Sequence, residues 1–134
     1  MTIIYEISPD LSNWQLNELL ASIHRADHQD RDFRPVLRRS LCWVCAYTED
    51  RRQLVGFVNV AWDGGLHAFI LDTSVRPSYQ RQGIGTALVR HAIEQARTRR
   101  ITWLHVDYEP HLEGFYAGCG FQQTAAGLMD LQQG

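Results

Sequence analysis

Between an apolar run and a helical pattern the chain carries Arg76-Pro77-Ser78-Tyr79-Gln80-Arg81-Gln82-Gly83-Ile84-Gly85-Thr86. Pro77 removes an amide donor and so ends a strand. Gly83 and Gly85 let backbone approach a ligand closely, just where a helix start exposes unpaired N–H groups. The chemistry such a stretch offers is anion binding. Two nucleotide folds are excluded. A dinucleotide fingerprint needs Gly or Ala at the sixth position counted from Gly83, where Leu88 stands, and a phosphoryl-transfer loop needs a Gly-Lys-Ser or Gly-Lys-Thr that is missing. A pyrophosphate cradle without transfer chemistry remains.

Two other groupings could do chemistry. Cys42-Trp43-Val44-Cys45 has the spacing of a redox couple or half a zinc site, but it lies in an apolar, strand-like run where residues three apart face opposite ways. No second cysteine pair completes four ligands, so Cys42 and Cys45 are read as core cysteines. His24, His28 and Asp27 could share a metal if a helix continued through them, yet no His-Glu-x-x-His pattern is present and a solvated loop is the better reading. No metal is expected.

The elements that must position these residues follow from periodicity. Residues 2–7 read as a strand, and Ser12 as the N-cap of a helix whose stripe is Leu16, Leu19, Leu20 and Ile23. Residues 25–34 are polar and mixed in charge, a loop or short second helix. Residues 41–47, 54–62 and 66–75 form an antiparallel meander, closed by Asp63-Gly64-Gly65 at its second turn. The third of these strands is apolar on both parities, which predicts a central strand covered on both faces. From Gly83 to about Arg99, Gly85, Leu88, Val89, Ala92, Ile93 and Ala96 recur as a helical stripe, and residues 101–107 return as a strand, making a parallel crossover. Residues 112–117 read as a short helix stopped by Gly118-Cys119-Gly120, with short strands at 121–124 and 128–131. The expectation is one α/β domain over residues 1–134, with a mixed, mostly antiparallel sheet and helices on both faces.

Composition narrows the partners. A formal charge of -2 and 45% hydrophobic residues suit one ordinary core and argue against a nucleic-acid binder, which needs a basic excess, and equally against membrane attraction. The first residues lack a charged segment followed by an apolar run, and no stretch approaches a membrane span, so a cytoplasmic protein is expected.

Gln80-Arg81-Gln82-Gly83-Ile84-Gly85, following a strand and opening a helix, resembles the acetyl-CoA signature of the GCN5-related N-acetyltransferase superfamily, Gln or Arg, two residues, Gly, one residue, Gly or Ala. Phe115-Tyr116-Ala117-Gly118-Cys119-Gly120-Phe121 is similar to a second segment of that family, Phe-Tyr-x-x-x-Gly-Phe, at a typical separation. The resemblance implies a sheet whose parallel pair, 66–75 and 103–107, splays at its C-terminal ends. It further implies that Gln80, Arg81, Gln82, Gly83, Ile84, Gly85 and Thr86 hold the CoA pyrophosphate through backbone amides, with charge from Arg81 and Arg76. Thr73, Ser74 and Val75 would pair with the pantetheine arm, and Tyr116 matches the family's general acid near the CoA sulfur.

The base is the open point. Counting back from Gln80, Phe69 stands where several members carry a carboxylate or histidine. Two residues earlier His67 has the same parity, and an imidazole suits base work, directly or through water. Asp72, Asp107 and Glu109 are further candidates, with a structural hydrogen-bonding role favoured for Asp72. Glu109 also departs from an Asn that many relatives place near the CoA arm. Trp62, His67, Asp72, Asp107 and Glu109 together suggest an acidic pocket for a cationic substrate, walled by residues 25–40, while His91 and His105 receive no role. The implied activity is acetyl-CoA-dependent transfer to a primary amine of a small molecule or peptide. The alternatives are a non-catalytic acyl-CoA sensor and a stand-alone protein-interaction domain. The oligomeric state, a homodimer among the options, stays open.

Overall fold

Five strands lie side by side in chain order, antiparallel except for the last pair. In the computed structural model, which describes residues 2–133, they are β1 (Ile3–Ile7), β2 (Cys42–Thr48), β3 (Leu54–Trp62), β4 (His67–Val75) and β5 (Trp103–His105). The helices are α1 (Asn13–His24), α2 (Arg34–Arg39), α3 (Ile84–Thr98) and α4 (Glu113–Gly118), with single 3-10 turns at Arg25–Asp27, Pro77–Tyr79 and Pro110–Leu112.

Each face of the sheet has its own core. α3 lays Ile84, Leu88, Ala92 and Ala96 on Val44, Val58, Val60, Ala68 and Ile70. On the other face α1 and α2 bring Leu16, Leu19, Phe33 and Leu37 onto Cys45, Tyr47 and Phe57. Cys42 belongs to the first core and Cys45 to the second, and burial pushes their thiols up to about 11 and about 12, so neither is a ready thiolate. Ser12 starts α1 through a capping box. Its Oγ accepts from the Gln15 amide at 3.1 Å, and the Gln15 side chain accepts from the Ser12 amide at 3.1 Å.

The segment before α2 is strapped down, although its sequence is loop-like. Asn17 donates to the Arg31 carbonyl at 2.8 Å and accepts from the Arg31 amide at 3.0 Å, while Asn13 accepts from the Phe33 amide at 2.8 Å. His28 spends its Nε2 on Asn17, 3.1 Å away.

Three expectations need correction. β4 is covered on one face only, since Phe69 and Leu71 are 40% and 38% exposed. α1 and α2 lay their apolar side chains on Cys45, Tyr47, Leu54 and Phe57 of β2 and β3, and α1 meets β4 at its Arg76 end, which leaves Phe69 and Leu71 uncovered. β5 is three residues long, shorter than the 101–107 its apolar run suggests. Residues 121–124 and 128–131 form no strands. Leu128, Met129 and Leu131 lie exposed, and the intervening Gln122-Gln123-Thr124-Ala125-Ala126-Gly127 has little β preference with which to pair on so short an edge.

β4 also carries a bulge. Phe57 faces Ser74 and Asn59 faces Leu71, so the single Val58 opposes both Asp72 and Thr73, and Asp72 takes a left-handed φ of 58°. The side-chain alternation therefore shifts by one. His67, Phe69 and Leu71 share the α1 face, whereas Val75, which would have followed them, packs with the α3 core.

The end of β4 is held by a buried charge. Arg76, 8% exposed, donates to Glu18 of α1 at 2.8 and 2.6 Å and to the Leu54 carbonyl at 3.2 and 2.7 Å. These hydrogen bonds from Arg76 hold the Glu18 carboxyl below its ordinary 4.5. Its stabilisation is then complete above pH 4.5 and is lost as pH falls through the lowered value. Glu18→Gln is expected to cost about 1–2 kcal/mol at pH 7, less than for a fully buried pair because the carboxylate is partly in water. Urea midpoints should show this difference, and it should shrink on acidification below pH 4.

Candidate active site

The turn from β4 into α3 is built by two left-handed residues, Arg81 with φ 64° and Gly83 with φ 82°. Gly83 caps α3 without a side chain, and its carbonyl accepts the first helical bond, from the Ala87 amide at 3.0 Å. The amides of Ile84, Gly85 and Thr86 thus stand in the first turn without helical acceptors, at the positive end of a 15-residue helix. Gln80 is used structurally: its Nε2 donates to the Val75 carbonyl at 3.0 Å and ties the turn to the strand it left. Arg81 and Gln82 are exposed beside the turn. On the outer side of α3 an open cavity of about 520 Å³ runs over Gly83, Thr86, Ala87, Arg90 and His91.

α4 is seated against this turn. A Cβ on Gly85 would lie 3.5 Å from the Phe115 ring and 3.7 Å from Val75, so the missing side chain is what lets Phe115 rest on the first turn of α3. The next residue, Tyr116, is 5% exposed, stacks on Tyr108 with centroids 5.0 Å apart, and meets Phe115 and Phe121 edge-on. Its Oη donates to Thr73 Oγ1 at 3.3 Å. The bulge at Asp72 is what makes that contact available, because Thr73 follows it directly. Thr73, Val75, the Gly83 turn and Tyr116 thereby lie along the α3 side of the end of β4, while Ser74, paired with Phe57, faces the other side. β5 pairs with β4 at three rungs only, His67–Trp103, Ala68–Leu104 and Phe69–His105, and beyond them the two strands part. The edge of β4 from Ile70 to Val75, which β5 does not pair, is the notch, and it has Thr73 and Tyr116 beside it.

The remaining candidates do not gather there. Arg76 is committed to Glu18 and Leu54 and cannot add charge to a bound phosphate, which corrects the expectation for that residue; no sequence signal links positions 18 and 76. His67 lies six residues from Thr73, roughly 20 Å along the strand at 3.3 Å per residue, too far to serve the same atoms as Tyr116. Trp62 pairs with Ala68 and so faces the α3 side, opposite to His67. Asp72, Asp107 and Glu109 are exposed, Asp72 at the bulge and the other two in the strand-free connection after β5. The five do not form one acidic pocket. The segment 25–40 packs over β2 and β3, with Ser40 donating to Asn59 at 2.6 Å, so it stands beside the notch only at its far edge. Among the described residues no three His, Cys, Asp or Glu side chains are grouped to hold a metal ion.

One residue without an expected role does have a specific place. His105 stacks on Phe69, centroids 4.6 Å apart, and its Nε2 lies 2.8 Å from His67 Nδ1. Only the parallel register of β5 on β4 brings these positions together, and that register has no signature in the sequence.

Comparison with known proteins agrees with the fold. The family model described as Acetyltransferase (GNAT) family matches residues 9–121. GCN5-related N-acetyltransferase 1, chloroplastic, of Arabidopsis thaliana is 31% identical over 119 residues, which cover 87% of this chain and 59% of that protein. The chain thus spans less than two thirds of that relative's length. Among solved structures, a GNAT-family acetyltransferase from Streptococcus pneumoniae superimposes with a TM-score of 0.78 at 23% identity, covering 99% of this chain and 100% of that one. AAC(6')-Iy, solved in complex with the bisubstrate analogue CoA-S-monomethyl-acetylneamine, does so with a TM-score of 0.77 at 12% identity, covering 97% of each chain. At these identities both structures speak to the fold alone.

Gly83→Ala meets no atom within 4 Å, so its cost is backbone strain at φ 82° and nothing else. A loss of about 1 kcal/mol is expected, read as a lower urea midpoint with an unchanged m value.

Proposed function

This chain belongs to the acetyltransferase (GNAT) family, and on that footing we propose that it moves the acetyl group of acetyl-CoA directly to a primary amine. The observation that carries the reading is the pairing of two features along one strand end. A phenol is held on Thr73 at the β4 bulge, and a helix N-terminus with free amides stands at Gly83, where the same strand turns into α3.

Acetyl-CoA fits these residues on three grounds. The amides of Ile84, Gly85 and Thr86 suit a pyrophosphate, and Arg81, exposed at the turn, adds a cation. The edge of β4 from Ile70 to Val75, unpaired by β5, offers backbone to the extended pantetheine arm, so Thr73, Ser74 and Val75 are its partners. When bound, acetyl-CoA supplies a thioester acyl carbon. Arg90, in the cavity beyond the turn, is the nearest further charge for the nucleotide end.

Tyr116 holds a proton at Oη for the sulfur that leaves. Its burial among Tyr108, Phe115 and Phe121 excludes water from that exchange, and Thr73 fixes the direction of the hydroxyl. An amine acceptor reaches the notch from the uncovered face of the sheet, past Leu71 and Phe69, because α3 and α4 occupy the other. Acceptor and donor thus meet from opposite sides.

Acetyl-CoA at about 100 times its Kd is expected to raise the unfolding free energy by roughly 2.7 kcal/mol, seen as a thermal shift. A panel of primary amines, followed by release of free CoA, should contain an acceptor, and Tyr116→Phe should lower kcat on it about a hundredfold with the Kd for acetyl-CoA unchanged. A thermal shift with no CoA release across the panel would leave an acyl-CoA binder in place of the transferase. Absence of any shift would remove acetyl-CoA from the reading.

A further inference from the structure

We propose that His105 is the general base that takes the proton from the acceptor ammonium, and that His67 is the positioning residue that holds it in the basic tautomer. The inference rests on the transferase reading above. It starts from the rung Phe69–His105, the last at which β4 and β5 are paired. His105 therefore stands at the closed end of the notch, on the face that α1 and α2 leave bare, and it is exposed. Thr73 and Tyr116 mark the other end, roughly 13 Å on at 3.3 Å per residue over four residues, a span that the acyl group, the acceptor nitrogen and one bridging water can fill. An acid at one end and a base at the other is the division that acetyl transfer to an ammonium requires.

The imidazole pair is built for one role. His105 Nε2 and His67 Nδ1 are 2.8 Å apart, so a single proton lies between them. If it belongs to His67, the proton of neutral His105 must sit on Nδ1 and that ring has no free basic nitrogen. If it belongs to His105, Nδ1 of that ring is free to accept, and His67 carries its own proton on Nε2. Only the second arrangement leaves His105 a basic nitrogen, and it is the one the proposal requires. Phe69 stacked on His105 at 19° and His67 stacked on it at 28° fix the plane of the ring.

The proton count closes. An ammonium loses two protons in becoming an acetamide. One passes to His105 Nδ1 and from there to solvent, freeing the nitrogen lone pair. The second leaves nitrogen as the C–N bond forms, and it replaces the proton that Tyr116 gives to sulfur as the C–S bond breaks.

The charged groups around the pair are few. Asp63, in the turn before β4, accepts from the His67 amide at 3.3 Å and from the Gly65 amide at 2.7 Å. Asp72 lies on β4 and Asp107 beyond β5, while β3 has no titratable side chain. α1 contributes Glu18, bound to Arg76, and His24 at its exposed last turn; α3 lies on the opposite face.

The test is the pH dependence of kcat/KM with an amine found in the panel. Wild type should be nearly flat between about pH 7.5 and 9, since the base removes the proton on the enzyme. His105→Gln should fall about a hundredfold at pH 7.5 and climb about tenfold per pH unit through that range, because only amine already neutral reacts. His67→Gln, whose amide oxygen accepts the same N–H, should keep most of the plateau, and His67→Leu should lose it. Independently of turnover, imidazole nitrogen shifts in the acetyl-CoA-free protein should show His105 as the Nε2–H tautomer. A wild-type profile in His105→Gln, or an Nδ1–H tautomer on His105, overturns the assignment. Wild type that binds acetyl-CoA yet acetylates no amine overturns the transferase reading itself and takes this inference with it.

Discussion

β4 is paired along its length on one side and for three rungs on the other, and most of the functional surface depends on that inequality. A strand fully paired on both sides would have no backbone to offer, and one unpaired on both would not hold its shape. The antiparallel ladder to β3 keeps β4 rigid, while the short parallel ladder to β5 leaves its second half open. The bulge at Asp72 then turns Thr73 toward Tyr116 at the start of the open half. Without the extra residue the alternation would carry Thr73 to the face of His67, and phenol and strand would not meet.

The open half needs an anchor, and Arg76 supplies it. Arg76, 8% exposed, is costly to bury without partners, and here Glu18 and the Leu54 carbonyl accept four hydrogen bonds from it. That arrangement ties together α1, the start of β3 and the end of β4. It fixes the point from which Pro77–Tyr79 and the Gly83 turn depart, so the free amides of α3 keep a set position relative to Thr73. Arginine serves through its planar fork, which grips a carboxylate with two nitrogens while a third bond reaches a carbonyl.

The two faces of the sheet divide the chemistry. α3 and α4 pack one face and bring the phenol and the helix N-terminus to it. α1 and α2 pack on β2, β3 and the Arg76 end of β4, which leaves Leu71, Phe69 and the His67–His105 pair accessible. Incomplete coverage, a defect for stability, leaves this face open to solvent. The surface offered there carries Phe69 and Leu71 beside two imidazoles.

Local patterns were enough for α1, α3 and α4, the meander and the turn into α3, though not for β5's length or for residues 121–131. Ser12 as a cap, the stripe Leu88-Val89-Ala92-Ala96, the meander of 41–75 and the Gly83 turn all depend on residues within one or two turns of each other, and such short-range physics is written in the sequence. The same holds for the family, since Gln80 to Gly85 and Phe115 to Phe121 are contiguous motifs. Other features rest on partners far apart in the chain. The Arg76–Glu18 bond spans 58 residues, and the His67–His105 contact spans 38 and depends on a parallel register. Residues 121–131 are apolar enough to suggest strands, but a strand exists only when an edge accepts it, and β5 is too short. The sequence by itself determined most of the pieces and the family they belong to. The tertiary structure alone decided which side chains face each other across the notch, because a single bulge or register choice moves every later residue to the opposite face.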